Sequence, residues 1–550
     1  MIGFPRTDAS DFEWPRRRVA PVFARRGMVA AAHPLVTRAG LDVLARGGNA
    51  VDAAVAAGLV ASVVMPEMCA LGGDLFALVY DPRDDGGAGR VWSVQGSGIA
   101  PRGATLEGMR QAGGGRMPST GPLSITVPGM VDGYFTLLDR WGTRSFAELV
   151  EPAVEYARGH AISPVLASYI AAFADLLRAY PATAKVFLPD GRPPSPGHVL
   201  RQDDLARTLE AIAESGPDVF YRGEIAKQIA VAVEELGGAL RASDFADHRT
   251  VVSPPYATTY RGFTVYQTAL PSQGLIMLEA LNIVEEFDIQ GMGVATPEAT
   301  HVLVEAIKRA FADRHAYCQD PAFGPSPVER LLSKDWARER ARTIGEPASV
   351  DVPPGVFDDG DTTYLCVVDA EGVMVSLIQS VASNFGSGVV AGDTGVLLNN
   401  RAQAFSLDDR HPNVFAPGKK PMHTLNCYLV ADGEGRVVVV GGTPGGDRQP
   451  QWNLQAVVGL IDGRWDVQQV VERPQWVTTT PPASSNGFEL RLEGRFGPAF
   501  AEALRDRGHQ VVVEGEWSGL SALQIIARDP SSGVLVGGSD PRAEGLALGL

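Results

Sequence analysis

Two adjacent threonines, Thr362 and Thr363, follow directly on an acidic, glycine-containing loop in the stretch DDGDTTYLCVVDAEGVMVSLIQS, residues 358–380. The plain reading is a strand start, because a branched Cβ suits a pleated surface and acidic loops are solvated. A chemical reading also exists. A threonine hydroxyl is a weak nucleophile unless a base lies beside it, and the α-amino group of an N-terminal threonine supplies that base from the same residue. Thr362 lies in mid-chain, so the chain would have to be cut before it. A flexible loop lets its hydroxyl reach the carbonyl carbon of Asp361, and hydrolysis of the resulting ester releases the amine. Such an amine has a reference pKa of about 7.7 to 8.0, which partial burial lowers toward the working range of a general base.

Other catalytic signatures are missing: there is no HExxH, no GxSxG elbow and no Walker loop. The nine histidines are scattered. Gly386-Ser387-Gly388-Val389-Val390-Ala391 fits GxGxxA on paper but leads into GDTGVLLNN, a turn and another strand, so the dinucleotide reading fails on context. The four cysteines, Cys69, Cys318, Cys366 and Cys427, stand far apart, with neither zinc spacing nor a disulfide framework, and read as buried thiols.

The elements around the threonines change character along the chain. From Leu41 to Met65 an alanine-rich helical pattern is interrupted by Gly47-Gly48-Asn49, predicting a helix, a turn and a second helix packed through small residues. The loop Leu71-Gly72-Gly73-Asp74 leads into LFALVYD, a run of strand length. Residues from about 145 to 345 read as mostly helical, and ASVDVPPGVFDDG (348–360) as an exposed linker. Beyond it TYLCVVD, VMVSLIQS, GVLLNN, NCYLVAD and RVVVVGG read as strands. Thr362 thus sits where a helical half meets a β-rich half.

Composition narrows the partners. With 48 basic against 64 acidic residues among 550, the net charge of −16 disfavours nucleic acid and anionic membranes and favours a small-molecule role. The most apolar run, Val51 to Met65, is too short to span a bilayer and reads as a buried helix. The N-terminal segment lacks the apolar core of a secretory signal, so a cytoplasmic location is expected.

The chain resembles the γ-glutamyltranspeptidases (glutathione hydrolases), which are self-cleaving N-terminal-nucleophile hydrolases. The resemblance runs from Gly27 to the end. It is carried by GGNAVDAAVAAGLVASVVMPEMCALGGDLF (47–76), VPGMVDGY (127–134), HVLVEAIKRAFADRHAYCQDP (301–321), DTTYLCVVDAEG, SNFGSGVVAGDTGVLLNN, GGTPGGDRQP and GGSDPRAEG. It implies an α+β fold, the four-layer αββα sandwich of this hydrolase type. It also implies cleavage between Asp361 and Thr362 into a large chain, 1–361, and a small chain, 362–550. By position Thr362 resembles the processing and catalytic threonine, Ser380 a hydroxyl kept beside it, and Gly445 and Gly446 the oxyanion donors. Glycine suits that task because two backbone N–H groups can crowd an oxyanion unobstructed; the alternative is a tight turn after RVVVVGG.

The departures bear on substrate. Ser97 stands near the place of the arginine that holds a glutamyl α-carboxylate, Ala404 aligns with the aspartate that holds the α-amino group, and His423-Thr424 with a serine pair. Losing such an arginine fork and the acid together removes efficient glutamyl recognition. HPNVFAPGKKPMHTL and GGTPGGDRQPQ resemble the branch that includes oxamate amidohydrolase and glutathione-hydrolase-like proteins. A substrate carboxylate then needs another cation, for which Arg401, Arg448 and His423 are candidates; for each the alternative is a surface or supporting ion pair.

The expectation is amide hydrolysis through an acyl-Thr362 ester, with water as acceptor, on a small carboxylated amide such as oxamate. Neither metal nor organic cofactor is expected, and the processed pair of chains is expected to stay together, with a homodimer of such pairs as a further expectation. Two rivals stand beside it: a γ-glutamyl hydrolase or transferase, and an unprocessed binding protein without catalysis.

Overall fold

Branched and apolar residues in TTYLCVVD and VMVSLIQS form a hairpin, in which Asp361–Asp369 pairs antiparallel with Met374–Ala382. The computed structural model describes residues 2–3, 19–349, 352, 360–479 and 488–550. Asp358, Asp359 and most of the predicted linker, like residues 4–18, lie outside the described residues.

This hairpin lies inside a seven-stranded antiparallel sheet. Its order is Leu546–Gly549, Gly27–Ala31, Asp361–Asp369, Met374–Ala382, Asp74–Asp81, Arg90–Gly96 and Val251–Ser253. A second seven-stranded antiparallel sheet runs Val22–Ala24, Leu535–Ser539, Gln524–Arg528, Val437–Gly442, Tyr428–Ala431, Phe263–Gln267 and Tyr256–Tyr260. In both sheets, strands from before and after the Asp361–Thr362 bond are neighbours.

Both faces of the hairpin are covered, which accounts for its nearly continuous apolar sequence. Met28, Phe76, Tyr364 and Ile378 from the first sheet meet Leu429, Val440 and Ile526 from the second in one core. The outer face of the first sheet packs on helices that include Pro34–Ala45, Ala50–Val64 and Phe146–Arg158. Helices Gly274–Glu285, Pro297–Tyr317 and Gln449–Ile461 cover the second. The layers therefore run αββα.

Helix Ala50–Val64 is buried on every side, and small residues allow it. A Cβ on Gly58 would stand 2.8 Å from Gln379 Oε1 and 2.9 Å from the Tyr134 hydroxyl. The helix starts in a capping box between Asn49 and Asp52, and Asp369 Oδ2 accepts from the Ala50 N–H at 2.9 Å. The Asp361–Ala382 hairpin is thereby tied to this helix.

One expectation about an element changes. GVLLNN forms isolated bridges, Gly72 with Leu398 and Val390 with Leu397, because its polar backbone is taken by loops: Ser387 N–H donates to Leu398 O at 2.9 Å. The stretch 145–345 is mostly helical, as expected, and carries a few strands besides. Val251–Ser253, Tyr256–Tyr260 and Phe263–Gln267 complete sheet edges, the last two joined through Arg261-Gly262. No helix starts at Gly386–Ala391, and the four cysteines are buried and free.

Candidate active site

Thr362 is the second residue of its strand and only 2 % exposed. The ladder is irregular here: Asp361 pairs with Ala382 and Thr363 with Gln379, so the partner strand carries the extra residue. Ala382, beyond the bulge, has φ +86°, a backbone state that a side chain with a Cβ rarely adopts. The distortion turns Ser380 toward the bond before Thr362. Ser380 Oγ donates to the Asp361 carbonyl oxygen at 2.6 Å and accepts from the Ala382 N–H at 2.8 Å.

On the other side Gln449, first residue of helix Gln449–Ile461, donates through Nε2 to Thr362 Oγ at 3.5 Å. Its Oε1 accepts from Asn426 twice, from the backbone at 3.1 Å and from Nδ2 at 3.0 Å.

Strand Val437–Gly442 ends just before Thr443-Pro444-Gly445-Gly446, and a short 3-10 turn, Gly446–Arg448, leads into that helix. Gly445 has φ +123° and Gly446 φ +54°. A Cβ on Gly445 would come within 2.5 Å of the Trp452 ring, so glycine is required there on two counts. The turn is fixed from outside. Gln273 Nε2 donates to Gly446 O at 3.0 Å, and Arg314 pairs with Asp447 at 2.7 Å. Successive N–H groups in such a turn form a concave donor site suited to an oxyanion.

Asp74, facing Ser380 across the sheet, anchors a buried charge cluster. Arg401 Nε lies 3.5 Å from Asp74 Oδ2, and His423 Nε2 lies 2.9 Å from the same oxygen. All three side chains are fully buried. Arg401 Nη1 donates to Thr424 Oγ1 at 3.2 Å and Nη2 to Ser380 Oγ at 3.3 Å. The Leu425 N–H donates to His423 Nδ1 at 3.3 Å, so Nε2 carries the imidazole proton and points it at Asp74. Burial, then the Arg401 charge, holds the imidazole neutral by lowering its pKa to about 4, against the opposing pull of Asp74.

The Gamma-glutamyltranspeptidase family profile matches residues 36–550. The chain belongs to the γ-glutamyltranspeptidase family. Its relatives include the glutathione hydrolase-like YwrD proenzyme of Bacillus subtilis, 39 % identical over 533 residues, covering 96 % of this chain and 99 % of that one. The oxamate amidohydrolase proenzyme of Klebsiella pneumoniae is 37 % identical over 531 residues, covering 95 % and 98 %. Among solved structures, cephalosporin acylase from Bacillus halodurans superposes with a TM-score of 0.90 at 36 % identity, covering 99 % of each chain. This γ-glutamyltranspeptidase-family protein is thus an N-terminal-nucleophile hydrolase acting on amide C–N bonds, and its layered α+β sandwich is the fold of that class.

Within this family member two cavities approach the site. One of about 340 Å³ reaches His423 and Thr424 and is walled by Ala404, Phe405, Met422 and Arg314. A smaller one of about 110 Å³ holds Asp361 and Thr362 together with Glu67, Tyr169 and Arg542. Arg401 lines neither; it lies behind Thr424 and His423, where Asp74 compensates its charge. Arg448 ends the glycine turn half-buried. Its charge offsets part of the rise of the Tyr169 hydroxyl to about 12, which burial and then Asp361 and Glu67 produce.

Gln449, Asn426, Asp74 and Gln273 carry the geometry of this family's site here, and sequence reasoning gave none of them a role. Gln449 and Asp74 do lie inside the quoted motifs GGDRQP and LGGD. Their roles depend on contacts across 87 residues in one case and 349 in the other. Among the described residues, His301, Glu305 and His509 come together in the manner of metal ligands. Lys308 and Arg309 each hold one Glu305 oxygen at 2.7 Å and His301 Nδ1 is bonded to His509 Nε2 at 2.9 Å, so these atoms are engaged with one another and with cations.

Proposed function

We propose that the protein cuts itself between Asp361 and Thr362 and then hydrolyses a carboxylated amide through an acyl-Thr362 ester. The observation that carries this reading is the Ser380 hydroxyl donating at 2.6 Å to the carbonyl oxygen of Asp361, the group that Thr362 Oγ would attack. In the first reaction the Thr362 oxygen adds to the Asp361 carbonyl carbon, its proton leaves, and the Thr362 nitrogen gains a proton as the C–N bond breaks. Water then hydrolyses the ester, leaving chains 1–361 and 362–550. In turnover the freed amine takes the hydroxyl proton and gives it to the leaving nitrogen, while the Gly445 and Gly446 N–H groups face the oxyanion.

For the substrate, the ester forms at Thr362 in the smaller cavity and the rest of the acyl group extends toward the larger one. Ala404 on its wall offers no carboxylate to an α-amino group, and Ser97 offers no cation to an α-carboxylate. A glutamyl group would lose the partners that those two positions could supply, which costs a few kcal/mol, or about a hundredfold in specificity. A compact carboxylated amide such as oxamate has no amino group to satisfy, and the 37 % identical relative named for oxamate supports it. Arg401, expected to meet the carboxylate, is separated from the cavity by Thr424; Arg314 is the arginine on the wall. The volume of about 340 Å³ favours a second reading, a bulkier acyl group packed on Phe405 and Met422. Turnover of oxamate, glutathione, a γ-glutamyl anilide and a bulky N-acyl amide by the matured protein tests both. Efficient glutathione hydrolysis would remove both and restore a glutamyl substrate.

A further inference from the structure

The buried Arg401 has no place in either cavity, yet it touches the Ser380 hydroxyl, which contacts the bond before Thr362. A serine hydroxyl has one proton and two lone pairs. At Ser380 the Ala382 N–H, at 2.8 Å, and Arg401 Nη2, at 3.3 Å, both donate to the oxygen. With both acceptor positions occupied, the hydroxyl proton is committed to the remaining direction, toward Asp361 O at 2.6 Å. A cation donating to a hydroxyl also makes it a stronger donor, since successive hydrogen bonds polarise one another.

We propose that Arg401 is a positioning residue for self-cleavage: it locks and polarises the Ser380 hydroxyl as the donor to the Asp361 carbonyl oxygen, and Asp74 with His423 hold it there. The role rests on cleavage at Asp361–Thr362 as argued above. Contacts of the guanidinium and of the backbone hold it in place. Nε faces Asp74 at 3.5 Å, Nη1 is held by Thr424 at 3.2 Å, and the Arg401 backbone N–H donates to Asn399 Oδ1 at 3.0 Å. His423 gives its proton to the same Asp74 oxygen, which leaves the carboxylate and the arginine as the two charges of the cluster. A buried pair of this kind contributes little net stability, so its presence calls for another reason.

When the Thr362 oxygen adds to the carbonyl, negative charge develops on Asp361 O, and Ser380 already donates there. Loss of one such donor commonly slows acyl transfer by a hundredfold or more. Once the ester is hydrolysed, Asp361 departs and the same hydroxyl faces the new Thr362 terminus.

The test is a double-mutant cycle on the cleavage rate of freshly made precursor, followed on denaturing gels. Ser380→Ala should slow cleavage by about a hundredfold or more and Arg401→Met by about tenfold, and the double variant should be no slower than Ser380→Ala alone. Because Arg401→Met leaves Asp74 buried without its cation, Arg401→Met/Asp74→Asn is made as well. It should fold with a cooperative thermal transition and still cleave slowly, since neutralising the pair repairs the fold and not the hydroxyl. Normal cleavage by that neutral pair, or multiplied effects in the Ser380→Ala background, overturns the role of Arg401. Cleavage by Thr362→Ala at this bond would instead remove the processing scheme on which the role rests.

Discussion

Gln449 Nε2 faces Thr362 Oγ at 3.5 Å because the other end of its amide accepts both the backbone and the side-chain N–H of Asn426. The amide therefore has one orientation, and the donor it offers Thr362 cannot turn away. Gln449→Leu should lower turnover of the mature enzyme by about tenfold, the loss of one hydrogen bond together with two Asn426 donors left unpaired. Gln449→Glu keeps the acceptor for Asn426 but replaces the donor, so it should fold well and remain slow; steady-state kinetics beside a thermal melt separates the two variants.

Replacing the nucleophile gives an ordered series. Thr362→Ala should remain a single band with no turnover, while Thr362→Ser retains some cleavage and some activity. The serine keeps hydroxyl and amine but loses the methyl that restricts χ1. N-terminal sequencing of the smaller wild-type band should begin at Thr362.

Gly445→Ala tests the glycine turn. At φ +123°, with Trp452 only 2.5 Å from a new Cβ, the turn must shift and carry its N–H groups with it. Turnover should fall by a hundredfold or more, with a lowered Tm. Normal activity would mean that these N–H groups do not serve the oxyanion.

Glu67 gives a pH signature. Its carboxyl is buried beside Asp361 and Thr362, its Oε2 has no partner among the described residues, and burial raises its pKa to about 8. In the unfolded chain it ionises near 4.5. Below that value both states are protonated and Glu67 has no effect on stability. As pH rises from there the unfolded chain loses the proton first, so the folded state becomes relatively less stable until about pH 8. Glu67→Gln should therefore raise Tm near pH 8 and leave it nearly unchanged near pH 4. Denaturant melts at both values check this, and the gain at high pH should be of the order of a few kcal/mol.

Much of this architecture was legible because it rests on local pattern. The buried helix Ala50–Val64 announces itself by small residues and the Asn49 cap, and the hairpin holding Thr362 by two β-rich runs around Ala370-Glu371-Gly372. GVLLNN failed for a physical reason: an apolar run of strand length reads the same whether its backbone joins a ladder or is tied into loops, and here Ser387 and Gly72 take those bonds. The site divided in the same way. Thr362 is proposed from the chemistry of its residue type, and Ser380 and the glycine pair from the family resemblance that their motifs carry. The orientation of Gln449 and the burial of Arg401 behind Thr424 depend on residues distant in sequence, and no spacing rule says on which side of a pocket wall a guanidinium will lie.

The alternation of strands in the two sheets sets how the cut protein ages. The Asp361–Asp369 strand is bonded on one flank to Gly27–Ala31 and on the other to Met374–Ala382, which itself borders Asp74–Asp81. Neither seven-stranded sheet is built from one side of that bond alone, so partners cannot be traded between molecules without dissolving the shared core. A mixture of tagged and untagged matured protein should keep its original pairings over long incubation, and scrambling should appear only at temperatures where the whole molecule melts. Cutting that one peptide bond, as proposed, would create two chains on paper and a single indivisible body in solution.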